Sequence, residues 1–184
     1  MSIFKKKPSA QKMSMEFSNA ICINATYETN KVISMVLGND LNLEQYIKTY
    51  LEIVIYEIHI VDKMASKLYG SNFRSEFVNS IIDNAKLAFI EAQNFDGFCD
   101  NKDYFFEEYY HNTFHIYPYN GSILGNDPTQ VTHFLATRLS NILLEGESEA
   151  KCILAETYIY EMLESFVKEI LSKKPLKNLV GKGE

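Results

Sequence analysis

Apolar residues are densest between positions 41 and 69, in the stretch LNLEQYIKTYLEIVIYEIHIVDKMASKLY. Within it Leu43, Ile47, Tyr50, Val54, Val61, Met64 and Leu68 recur at three- and four-residue steps, the spacing that lines one face of an α-helix. The β-branched run at 51–61 taken alone suits a buried strand equally well. Length decides against that, because strands average roughly five or six residues. Asn42, with Gln45 three positions on, can cap the helix start reciprocally. Gly70 can end it in the left-handed conformation. Lys48, Glu52, His59, Lys63 and Lys67 share the polar side, while Ile53, Ile55, Ile58 and Ile60 widen the apolar surface beyond one stripe. A helix that is apolar around most of its circumference must be covered from several directions. Helix 41–69 is therefore expected at the centre of a bundle.

The other segments supply the covering faces. Residues 14–37 fit two periods. Phe17, Ile21, Ala25, Val32, Met35 and Val36 allow a helix ended by Gly38, whereas Ile21, Ile23, Ala25 and Tyr27 alternate as in a strand. Helix is preferred, since a lone hairpin beside helices is marginal. Residues 72–94 read as an amphipathic helix with Phe73, Phe77, Val78, Ile81, Ile82, Ala85, Ala88, Phe89 and Ala92 inward. Ser71 or Asn72 can cap it and Gly97 can end it. Leu87 and Ile90 lie off that face. An aromatic helix starts at Asp100 or Asn101 and stops by Pro118, followed by a loop at 118–127. Asp127, Pro128 and Gln130 form a strong start signal for the next helix, which runs to Glu145 with Val131, Phe134, Leu135, Leu139, Ile142 and Leu143 inward and Gly146 as its stop. Ser148 caps a last helix that ends before Pro175. Its broad stripe is Ile153, Leu154, Tyr158, Ile159, Met162, Phe166, Val167 and Ile170. The pattern thus predicts an all-α, single-domain bundle of five or six helices, mostly antiparallel, spanning 14–174. A flexible basic leader, 1–13, precedes it and a frayed tail, 175–184, follows it.

Composition narrows the function classes. The 184 residues suffice for one sizeable core. Only eight Gly and four Pro favour long helices over many short strands. The net charge of −6 argues against a nucleic-acid surface, which needs clustered Lys and Arg. Cys22, Cys99 and Cys152 are odd in number and far apart, so neither a disulfide framework nor a paired metal spacing is expected, and a reducing cytoplasm is the expected setting. The basic start lacks an apolar run behind it, so it is no secretory signal, and no stretch is long and apolar enough to span a membrane.

Candidate chemistry concentrates in the aromatic helix. Glu107, His111 and His115 stand at i, i+4 and i+8, with Glu108 beside them. Two imidazoles one turn apart can meet one ion, with His59 or His133 as a third from another helix. Glu-x₂-His also occurs in di-iron bundles, which need the motif twice plus two further carboxylates; a second copy is absent here. The competing geometry turns Phe106, Tyr110 and Tyr117 to the core and leaves the histidines in solvent. No bound metal or other cofactor is expected on balance. Glu57 falls on the core-facing stripe of 41–69, where a carboxylate needs a donor such as Tyr, Lys or Arg74. The rings of Tyr104, Phe105, Phe106, Tyr109, Tyr110, Phe114, Tyr117 and Tyr119 can fill a core, wall a pocket or face a partner. No phosphate-binding Gly-rich loop, nucleophile elbow or kinase set is present. The expectation is a non-catalytic domain that binds a protein partner or forms a homo-oligomer, prompted by surplus apolar surface at Leu87, Ile90 and Tyr109. The alternatives are a metal-dependent enzyme using Glu107, His111 and His115, and a binder of a small apolar ligand between the aromatic and central helices.

Overall fold

The computed structural model describes residues 10–37, 42–68, 71–117 and 129–172. Among them are six α-helices and no strand: α1 (Ala10–Val36), α2 (Leu43–Leu68), α3 (Ser71–Glu91), α4 (Lys102–Phe114), α5 (Thr129–Leu143) and α6 (Glu149–Ser172). The arrangement is an all-α bundle around α2, as the apolar pattern predicts. α1, α3, α4 and α5 pack on α2, and α6 packs principally on α5. Paired side chains fit antiparallel runs for α2/α3, α3/α4 and α5/α6: Asp62 late in α2 meets Arg74 early in α3, Lys86 late in α3 meets Asp103 and Glu107 in the first half of α4, and His133 early in α5 meets Glu156 of α6.

Residues 51–63 of α2 are all buried, which is the enclosure its wide apolar surface requires. One expectation is corrected there: Glu52, His59 and Lys63, assigned to a polar side, are buried too. Residues 14–37 are helical, and α1 begins at Ala10, inside the segment read as a leader. A helix of 27 residues tolerates the Ile21–Tyr27 alternation because Ile21 and Ala25 turn inward while Ile23 and Tyr27 stay exposed.

Helix ends follow local chemistry. The Gln45 amide N–H donates to Asn42 Oδ1 (2.8 Å). The expected reciprocal bond is replaced: the Gln45 side chain donates to the carbonyls of Ile142 and Leu143, satisfying acceptors that the end of α5 leaves open. Asn101 caps α4 by accepting from the Tyr104 N–H (3.0 Å). α3 stops at Glu91, short of Gly97, because a 3₁₀ turn (Gln93–Phe95) intervenes and inserts Phe95 between Tyr50 and Phe89. α5 ends at Leu143 rather than Glu145, and Gly146 follows with φ of 83°, a conformation that strains any residue with a Cβ. Gly38, Gly70, Pro118, Tyr119, Asp127 and Pro128 lie outside the described residues, as do positions 1–9 and the tail.

The last correction concerns α6. Among its described side chains the buried ones are Ala155, Ile159 and Leu163, while Ile153, Leu154 and Tyr158, placed on the inward stripe, are exposed; the stripe's Met162, Phe166, Val167 and Ile170 lie outside the described side chains. α6 touches mainly one helix, and one helix covers only part of its apolar arc.

Candidate functional site

The densest polar constellation inside the bundle is centred on Glu52, in the middle of α2 and 0 % exposed. Arg138, from α5, grips it with two parallel bonds: Nε donates to Oε2 (2.8 Å) and Nη2 to Oε1. The Tyr109 hydroxyl, from α4, donates to Oε1 (2.8 Å). The Tyr117 hydroxyl, just beyond α4, donates to Oε2 (3.0 Å). A carboxylate offers about four lone-pair sites, and all four are taken. Such a group cannot serve as a general base without losing a partner, so the geometry is that of a clamp joining α2, α4 and α5. Burial first, then the Glu52 charge, pushes the Tyr109 and Tyr117 hydroxyls well above the ordinary phenol range. The Glu52 hydrogen bond holds the Arg138 guanidinium firmly protonated.

Two further acids on α2 face other helices. Asp62 receives Arg74 Nε and Nη2, both at 2.7 Å, tying α2 to α3. Arg74, offered by the sequence as a partner for Glu57, thus grips Asp62. Glu57 is buried, as its place on the core stripe predicts. It lies near enough to Cys22 of α1 and to Tyr50 to add to the upward shift that burial gives both. Tyr56 shares a hydrogen bond of 2.9 Å with Thr132 of α5.

The stripe proposed for metal binding faces solvent. His111 and His115 are exposed, with rings stacked at 6.4 Å between centroids and 17° between planes. Glu107 pairs with Lys86 at 2.7 Å and approaches His111 at 3.6 Å; Glu108 is exposed. His59 sits instead in the core, its ring 5.5 Å from both Phe114 and Tyr117, and His133 pairs with Glu156 at 3.2 Å. Among the described residues no three His, Cys, Asp or Glu side chains are gathered to hold one ion, whereas zinc centres draw on three or four protein ligands. Phe106, Tyr110 and Tyr117 are buried on the opposite side, as the competing geometry requires. Tyr109, counted as surplus apolar surface, turns inward to Glu52, while Leu87 remains exposed.

Arg138 and its bond to Glu52 were missed in the sequence, yet one signal marks them. Val131, Leu135, Arg138 and Ile142 keep helical spacing, so Arg138 occupies an apolar register position. A charge there calls for an opposite charge on the helix it faces. Beside the clamp lies an open groove of about 380 Å³, walled by Phe105, Tyr109 and Ile116, with Asn112 and Arg138 among its polar groups. No protein family matches the chain, and neither does any curated protein or solved structure. Among the described residues no helix is long and apolar enough to cross a membrane.

Proposed function

We propose that this chain is a non-catalytic helical module that acts by binding protein, a second copy of itself included. One observation carries the reading. Among the described side chains of α6, Ala155, Ile159 and Leu163 form a narrow buried row, and its outer side presents Ile153 and Leu154, each 57 % exposed, with Tyr158 at 52 %. Scattered apolar residues on a surface are ordinary, but several large ones on adjoining turns of one helix mark interaction surfaces. Support comes also from the interior, where the most buried carboxylate is fully engaged in holding helices together. A reducing compartment such as the cytoplasm fits the three free cysteines. Light scattering over a concentration series tests the reading. The mass is expected to rise from 21.2 kDa towards twice that value. A strict monomer that also captures no accessory chain counts against it.

The groove beside Arg138 favours a second reading, a small apolar or aromatic ligand, since its volume falls in the range of such sites. A small molecule seen in native mass spectrometry and lost on Ile116→Trp, which fills the groove, would move this reading to first place.

A further inference from the structure

The exposed side of α6 carries a regular pattern. Lys151, Leu154, Tyr158 and Glu161 follow at steps of three, four and three, and all four are exposed. At about 100° per residue they fall within one arc of about 80°, its centre turned by about 120° from that of the inward-packing row formed by Ala155, Ile159 and Leu163. Alternating three- and four-residue steps are the spacing of a helix seam that receives another helix at a shallow angle. The seam is apolar at its centre, with Lys151 at the end nearer the start of α6 and Glu161 at the other.

We propose that this seam docks on itself: α6 of one copy packs antiparallel on α6 of a second copy, about a two-fold axis passing between Leu154 and Tyr158. The inference rests on the self-association reading above. Its argument is charge complementarity. With the second helix reversed, Leu154 meets Tyr158 of the other copy, and one layer outward Lys151 meets Glu161 of the other copy. Symmetry repeats each contact, giving two apolar layers flanked by two ion pairs. A parallel, in-register pairing instead stacks Lys151 on Lys151 and Glu161 on Glu161, which repels. A closed two-fold contact requires this self-complementary order, whereas a different partner does not. In the single chain Lys151 bonds Glu147 at 2.8 Å. That pair is exposed and weak, so it yields or shares its lysine on docking. The tyrosine ring buries its face while its hydroxyl stays at the wet rim. One helix pair is a small interface, so a weak, micromolar dimer is expected.

Sedimentation of the full chain up to several hundred micromolar tests the geometry, using K151E, E161K, the double reversal K151E/E161K, and Leu154→Asp. Each single reversal sets like charges together twice and is expected to weaken association about tenfold. The double reversal restores it to within about threefold of the native chain. Leu154→Asp leaves a monomer with unchanged far-UV circular dichroism, because the side chain is exposed. Single reversals without effect, or a double reversal that does not recover, overturn the antiparallel docking while leaving self-association standing. A native chain that stays monomeric throughout overturns both.

Discussion

Replacing Arg138 with methionine tests the clamp at its weaker-buried end. The two partners differ in burial: Glu52 has no exposed surface, whereas the Arg138 side chain is 27 % exposed. Removing the arginine strands a carboxylate that water cannot reach, with only the Tyr109 and Tyr117 hydroxyls left to it. Breaking a buried pair from one side destabilises by roughly 3–5 kcal/mol. The surviving phenol donors set the expectation at the low end, about 3 kcal/mol. Glu52→Gln strands the arginine instead, which can hydrate, so about 1–2 kcal/mol is expected. The double variant E52Q/R138M holds no stranded charge and should lose less than R138M alone. The second substitution then partly rescues the first, which simple loss of packing cannot produce. Urea unfolding followed by far-UV circular dichroism at pH 7 reads this directly. With a slope of about 2 kcal/mol/M, the R138M midpoint drops by about 1.5 M. A shift for R138M smaller than that for E52Q, or a double variant losing the sum of both, would refute the clamp.

Other outcomes follow from single features. Tyr50, Tyr56, Tyr109, Tyr110 and Tyr117 all have hydroxyls held above the ordinary range, burial being the leading cause in each. The folded chain keeps these protons above pH ~10, where the unfolded chain releases them. Stability is therefore whole below pH ~10 and falls above it by about 1.4 kcal/mol per pH unit for each tyrosine. Tyrosinate absorbance should show these five of the 12 tyrosines ionising only as the chain unfolds; all ionising together in the intact fold contradicts their burial. His111→Ala and His115→Ala should shift stability by less than about 0.5 kcal/mol, both being exposed. Elemental analysis of the purified protein should find no stoichiometric metal. One equivalent of Zn, Fe or Ni, lost on His111→Ala, would restore the metal-dependent reading. Asn101→Ala should lower stability by about 1 kcal/mol through loss of the Tyr104 cap, and an unchanged urea midpoint would show that the cap is idle.

The periodic signal located the elements well, because burial of a helix face is a local pattern. α2 reads as a helix covered from several directions, and Asn42 and Asn101 mark starts that their side chains do cap. What the pattern could not carry was the identity of distant partners. Glu52 looks like part of a wet face of α2 until Tyr109, Tyr117 and Arg138 arrive from far along the chain. Gln45 looks like half of a capping box until the end of α5 offers it two carbonyls. Ile153, Leu154 and Tyr158 of α6 were misplaced for the converse reason. An apolar arc states how much surface can be buried, not how much its neighbours cover, and among the described side chains of α6 Ala155, Ile159 and Leu163 are buried while these three stay exposed. The histidine stripe was legible in both of its readings, and the inward turn of Phe106 and Tyr110 carried the side facing solvent.

The acids of α2 explain how a helix with so many isoleucines holds one arrangement. Apolar burial drives collapse but has no direction, and a rod apolar on every side accepts neighbours at many rotations. Glu52, Glu57 and Asp62 follow at five-residue steps, and each step turns the helix by about 140°. Three buried acids therefore point in three directions. Glu52 meets donors from α4, α5 and the segment after α4, and Asp62 meets Arg74 of α3; Glu57 is buried between them along the helix. Through Glu52 and Asp62, α4, α5 and α3 are matched to sectors of α2, and sliding one of these three by a turn strands a charge. Buried ion pairs add little net stability when set against apolar replacements. In this bundle they make packings that part Glu52 from Arg138, or Asp62 from Arg74, costly.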